Sequence, residues 1–229
     1  MFLDINGREI HSLSFGVGTR AFLAHGGWVG DLELWLHPFE ILSQAWRTVT
    51  YDHRGTGLTT SVPDDINREG IVTDLFAVMD RLRIERCVLA GESTGALVAL
   101  LAYFAHPEQF EGLVLVDGFP TADADDDPGM RDFIASVRLD YGATFKDFVD
   151  DCVPDLDADH IRRWARRIGA RAESEQAARL IECFLGADVR DRLVEVRVPT
   201  LIIHGSHGRI VPLAASQDMA AAIRTASLS

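Results

Sequence analysis

Five residues constrain this chain more than any others: Gly91-Glu92-Ser93-Thr94-Gly95. They fit the pattern G-x-S-x-G. Residues 87–90, just before, are a short apolar run with the length of a buried strand. Residues 94–106, just after, are apolar on nearly every side and read as a buried helix. A serine at that junction needs a sharp turn from strand to helix, and glycines two residues either side let the two elements pack closely around it. The turn forces the serine up at the carboxyl end of a sheet. There the amino end of a helix favours developing negative charge. Ser93 is therefore the candidate nucleophile.

The flanking sequence supplies the sheet that such a turn requires. Residues 1–6 and 9–15 flank Gly7-Arg8 and read as a hairpin. Residues 21–24 form a short buried strand that runs into His25-Gly26-Gly27-Trp28, and residues 34–45 are amphipathic. A strand over 47–51 ends in Asp52-His53-Arg54-Gly55-Thr56-Gly57. Over 67–82 a helix is predicted, with Ile71, Leu75, Val78, Met79 and Leu82 on one face. Residues 113–116 are the next strand. Repeated strand–helix units imply an α/β fold with a parallel sheet covered on both faces.

The alternation breaks after Phe119. Residues 120–129, rich in Asp, Gly and Pro, read as a linker, and helical stretches without a clear strand follow. Within 161–170, Ile161, Trp164, Ala165 and Ile168 share an apolar face opposite Arg162, Arg163, Arg166 and Arg167. The arginines fit a solvated face, with an anion site as the alternative. Strand–helix order returns at 198–204 and continues with a helix over 212–223. The expected organisation is a core of residues 1–119 and 191–229 carrying a helical insertion, 120–190.

Composition narrows the setting. A chain of 229 residues accommodates this core and one insertion. Its net charge of −13 disfavours nucleic acid and anionic membranes as partners. The three cysteines, Cys87, Cys152 and Cys183, are widely spaced, with no metal-binding pattern, and suggest reduced thiols in a cytoplasm. Strand-like sequence directly after Met1 leaves no signal peptide, and the longest apolar run, 96–105, is too short to span a bilayer. No cofactor or metal is implied.

His25-Gly26-Gly27-Trp28 follows a strand, and glycine there lets a backbone N–H approach a reacting carbonyl. Read alone it is a plain turn or half of an oxyanion hole. Beside the serine turn, the second reading makes Gly27 and Trp28 candidate donors, with the Thr94 amide as the other half. Trp28 is also a candidate for lining the acyl pocket, and His25 for holding the loop.

In order and spacing, His25-Gly26-Gly27, Asp52-x-Arg54-Gly55-x-Gly57 and Gly91-x-Ser93-x-Gly95 resemble the α/β-hydrolase superfamily, over nearly the whole chain. The resemblance is closest to its cap-bearing esterase, lactonase and carbon–carbon-bond hydrolase branch. It implies an eight-stranded sheet, a helical cap where 120–190 lies, and a triad in the order serine, acid, histidine. It also implies a structural role for the Asp52 loop.

Two departures stand out. The family's aspartate in the loop after the strand 198–204 corresponds to Gly208. Residues 225–229 are too few for both the family's eighth strand and its histidine loop, so the C-terminal strand is expected to be missing. The strand 198–204 would then be an open edge, prone to self-association. Asp117, at the end of a strand, is either a second acid or a turn cap. Among the histidines, His207 is the least poor candidate for a base. The resemblance thus implies a serine hydrolase acting on a carboxylic ester, thioester or lactone through an acyl-enzyme, impaired in this chain. A non-catalytic ligand-binding homologue and a truncated hydrolase product are the alternatives.

Overall fold

A computed structural model describes residues 1–122 and 128–229. Half of the linker expected at 120–129, residues 123–127, therefore lies outside the described residues. Strands β1 (Phe2–Ile5) and β2 (Arg8–Phe15) pair antiparallel. Asn6 and Gly7 between them both take positive φ, 54° and 81°, as a two-residue hairpin turn of this hand requires. Then follow β3 (Ala21–His25), α1 (Leu36–Leu42), β4 (Arg47–Tyr51), α2 (Arg68–Arg81), β5 (Cys87–Glu92), α3 (Thr94–Ala105) and β6 (Phe110–Val116). Helix α2 starts where Asn67 accepts a hydrogen bond from the Gly70 amide, 2.7 Å away.

Between β6 and the next strand of the main sheet lie β7 (Thr121–Ala122), α4 (Pro128–Leu139), α5 (Tyr141–Cys152), α6 (Asp159–Gly169), α7 (Ser174–Glu182) and β8 (Ala187–Asp188). The two short strands pair only with each other, as a neck through which the chain leaves and re-enters the core. Last come β9 (Thr200–Ile203), α8 (Leu213–Ala222) and β10 (Ala226–Leu228).

The main sheet has eight strands in the order β1-β2-β4-β3-β5-β6-β9-β10. From β4 to β10 every pairing is parallel, as crossover helices demand. All five residues of β3 are buried, and α3 buries Gly95 to Leu100 without a break. An element apolar on all sides is stable only inside, which puts the β5–α3 junction at the centre of the molecule.

The expectation of a missing C-terminal strand is corrected here. Ala226, Ser227 and Leu228 pair in parallel with Thr200, Leu201 and Ile202. The Ser229 amide donates to the Ile202 carbonyl at 2.9 Å, and Thr225 Oγ1 donates to the Val198 carbonyl at 2.6 Å. A parallel pairing needs only backbone groups at matching height. Three residues suffice once α8 returns the chain there. So β9 is not the edge; the shorter β10 is. One face of β9 is still bare, with Leu201 38% and Ile203 37% exposed.

The insertion is tied to the core by packing and charge. Trp28 Nε1 donates to the Ala177 carbonyl of α7 at 2.8 Å, and the Trp28 ring meets Phe133, Phe145 and Phe148 at centroid distances of 5.3, 5.7 and 5.0 Å. Arg171 pairs with Asp31 and Glu33, and Arg167 with Glu33 at 2.8 Å. Arg166 pairs with Asp150, and Arg162 with Asp159 at 2.6 Å. Much of the arginine face of α6 is thus matched by carboxylates.

Candidate active site

Ser93 sits between β5 and α3 at φ 53°, a left-handed conformation that an L-residue adopts only under strain. Two backbone bonds over-determine it: its amide donates to the Val116 carbonyl at 2.8 Å, and its carbonyl accepts from the Ala96 amide at 3.0 Å. The flanking glycines make the turn possible. A methyl on Gly91 would lie 2.0 Å from the Gly95 carbonyl oxygen, and one on Gly95 would lie 2.6 Å from that of Gly26. Strand, helix and the His25–Gly27 loop therefore meet at backbone distance. Thr94 opens α3, in the first turn, where helix amides have no intrahelical partner.

The loop after β3 is held from beneath by two buried histidines. His25 Nδ1 lies 2.7 Å from the Gly26 carbonyl, so its proton is on Nδ1 and fixes the Gly26–Gly27 peptide. Burial, together with neighbouring His53, pushes the His25 pKa down to about 3, so it stays neutral. His53 Nε2 lies 3.2 Å from the Gly27 carbonyl, which also accepts from the Gly30 amide at 2.9 Å.

The Asp52–Gly57 loop is tied up in structural bonds. Asp52 accepts from the Leu32 and Leu58 amides at 2.9 and 2.8 Å. Arg54 grips Asp74 at 2.5 and 3.0 Å.

Ser93 opens on a cavity of about 250 Å³. Gly27, Trp28, Glu92, Ser93 and Asp117 line its core side. Phe145, Phe148 and Val149 of α5 and Ile161, Trp164, Ala165 and Ile168 of α6 line the other. The apolar face of α6 read from the sequence is thus one wall of the cavity. An enclosure of this size and character suits a small, largely apolar ligand.

Acid and base groups are arranged less simply. Asp117 also has positive φ, 44°, and its amide donates to the Ile203 carbonyl at 2.8 Å. Its Oδ1 accepts from the Gly205 amide at 2.9 Å, yet its side chain stays 44% exposed at the cavity. It therefore caps the turn after β9 and faces the Ser93 cavity at once. His204 is buried, with Nδ1 2.8 Å from Ser216 Oγ and Nε2 3.1 Å from the Val211 carbonyl. Asp117 Oδ1 lies 3.4 Å from that Nδ1. His207 is exposed beside Ser206 and does not line the cavity. No histidine lines the cavity among the described residues, and Gly208 does.

One cavity group was not singled out by sequence reasoning. Glu92 occupies the first variable place of G-x-S-x-G, and its carboxyl reaches the cavity. Burial, then the nearby Asp117 carboxylate, raises its pKa to about 7, opposed by a hydrogen bond from the Gly27 main chain. A carboxylate in a buried turn is a visible anomaly in the sequence, but its direction is not.

Known proteins resemble the chain in sequence and in fold. The chain is 26% identical over 214 residues to Karrikin insensitive 2 receptor IA of Petunia hybrida, covering 88% of this chain and 78% of that protein. It is 27% identical over 237 residues to a putative carbamate hydrolase, RutD, of Caulobacter segnis, covering 97% and 82%. Among solved structures, the enol-lactonase of Burkholderia xenovorans superimposes with a TM-score of 0.87 at 22% identity, covering 100% of this chain and 90% of that one. A hydrolase of Pseudomonas aeruginosa gives 0.91, also at 22%, covering 100% and 88%. At such identity these two are likenesses of fold. The sequence profile of the alpha/beta hydrolase family matches residues 21–228, which takes in the serine turn, the glycine loop and the whole insertion, and the chain belongs to that family.

Proposed function

We propose that this chain is a serine hydrolase acting on a small carboxylic ester, thioester or lactone, with little turnover as it stands. The observation that carries the reading is Ser93 held at positive φ over an apolar cavity. Ser93 Oγ attacks the carbonyl carbon while the Thr94 and Trp28 amides hold the oxyanion, the Gly27 amide being taken up by the Glu92 carboxyl. The carbon–oxygen or carbon–sulfur bond then breaks, the leaving group departs with a proton, and water later frees the acyl group. A carbamate, as in the name of one relative, presents a similar carbonyl. Asp117 is the acid of choice, since it shares the cavity with Ser93 and Gly208 has no side chain to offer. Among the described residues no imidazole lines the cavity, and His204 has both nitrogens engaged. Loss of a triad member leaves roughly 10³–10⁴-fold acceleration over water from the oxyanion hole and binding. Three unpaired cysteines fit a reducing, cytoplasmic setting.

A fluorophosphonate probe tests the assignment. Slow covalent labelling that disappears in Ser93→Ala supports it, and labelling that survives the substitution refutes it. A second reading, a ligand-binding protein without turnover, is favoured by the engaged His204 and by Gly208. It fits the receptor name of another relative. Its signature is tight binding of a small carbonyl compound with no labelling of Ser93.

A further inference from the structure

The cavity wall is apolar except where it meets Ser93. There it carries two carboxyls, Glu92 and Asp117, from the ends of adjacent strands β5 and β6. Glu92 Oε2 lies beside the Gly27 main chain: a methyl built on Gly27 would sit 2.2 Å from it. The carboxyl is thus next to the loop that carries the Trp28 amide, the proposed oxyanion donor. Among the described residues no basic group is close enough to offset it.

Among the described residues the groups neighbouring Glu92 add little compensating charge. Asp117 repels it. From α5, the Cys152 thiol is neutral, its pKa pushed up to about 12 by burial and then by Glu92, Asp151 and Asp117. From the loop after β9, Arg209 reaches the cavity mouth but is 63% exposed and lies 3.7 Å from Asp151. His204 lies behind Asp117 and is held by Ser216 and Val211. Glu92, buried beside the Gly27 loop, acts strongly on a charge brought to the cavity because little water screens it, and Asp117, its side chain 44% exposed, adds a partly screened charge of the same sign.

We propose that Glu92, backed by Asp117, is a charge filter at the Ser93 end of the cavity. It favours ligands that place a cation or a hydrogen-bond donor beside the reacting carbonyl and rejects those that place a carboxylate there. The aromatic walls from Trp28, Phe148 and Trp164 suit the same ligands, since aromatic rings attract cations. This inference rests on the cavity being the substrate site of the proposed hydrolase.

Three probes of similar size read the filter by calorimetry: benzyltrimethylammonium, its neutral analogue neopentylbenzene, and phenylacetate. The cation is expected to bind at least about tenfold tighter than the neutral analogue, and phenylacetate weakest, from one unit charge a few ångströms from another. Glu92→Gln, equal in shape, should shrink the cation's advantage by about tenfold and relieve the rejection of phenylacetate. Asp117→Asn, which keeps an oxygen for the Gly205 amide, should act in the same direction if the first variant folds poorly. Cation affinity should rise as pH passes through about 7, where Glu92 loses its proton, and should not do so in Glu92→Gln. Equal binding of cation and neutral analogue, or a preference unchanged in both variants, overturns the proposal. Ser93 labelling of the unsubstituted chain is scored separately. Labelling without charge preference rejects the filter alone; charge preference without labelling rejects the hydrolase reading alone.

Discussion

Replacing Glu92 by Gln should stabilise this protein, and only above a definite pH. In the folded chain the Glu92 carboxyl titrates at about 7 instead of 4.5, chiefly because burial disfavours its charged form. A folded-state value raised above the unfolded one means that the native chain holds this proton more tightly than the unfolded chain does. The stabilising contribution is complete below 4.5 and is lost as pH rises through about 7. At about 1.4 kcal/mol per pH unit, the full span is on the order of 3 kcal/mol. Glutamine keeps the length and an oxygen for the Gly27 amide but never ionises. The two proteins should therefore be nearly equal in stability near pH 4.5, with Glu92→Gln ahead by up to about 3 kcal/mol near pH 8. In a chain of this size that is about 6–12 °C in Tm. Urea unfolding of both proteins across that range measures it. Taking the difference cancels the other carboxylates of this acidic chain. A gap that does not vary with pH, or a less stable Gln variant near pH 8, would refute the assignment of a buried, uncompensated carboxyl.

Gly91→Ala and Gly208→Ala should behave oppositely. A methyl at 91 meets a carbonyl oxygen at 2.0 Å, whereas at 208 nothing lies nearer than 3.4 Å, so calorimetry should show a loss of about 2–5 kcal/mol in the first and a change within about 1 kcal/mol in the second. Trp28→Phe removes the bond to the Ala177 carbonyl and should cost about 1–3 kcal/mol, with faster proteolysis inside the insertion. The bare face of Leu201 and Ile203 should drive concentration-dependent association in sedimentation, and a Leu201→Lys/Ile203→Lys double variant should abolish it.

Where backbone geometry decides, the sequence could be read. The β5–Ser93–α3 turn requires glycine at 91 and 95 for steric reasons, and glycine is a visible letter. The spacing of Ile161, Trp164 and Ile168 marks an apolar helix face, although only the fold reveals that it faces a cavity. The C-terminal strand was missed because Ala226, Ser227 and Leu228 pair through backbone groups that carry no side-chain signal. Glu92 was missed because a motif's variable position says nothing about side-chain direction. That direction comes from how closely β5 approaches the Gly27 loop.

The same distinction separates what this site can do from what it cannot. In the proposed hydrolase, holding a carbonyl over Ser93 depends on main-chain amides at Trp28 and Thr94 and on an apolar wall. All of these are fixed by close packing of β3, β5 and α3 and by the seating of Trp28 on α7. In the same proposal, moving a proton depends on side chains at the ends of β6 and β9, and those have other partners. Asp117 gives one oxygen to the Gly205 amide, and His204 has Ser216 on one nitrogen and the Val211 carbonyl on the other. Binding and proton transfer are therefore built on different parts of the sheet and can fail independently. Supplying free imidazole to the purified chain exploits that separation. If binding is intact and only the base is lacking, imidazole should accelerate turnover of a p-nitrophenyl ester in proportion to its concentration, beyond its reaction with the ester alone. Ser93→Ala should abolish the excess. An excess that survives in Ser93→Ala would place the acceleration outside this site.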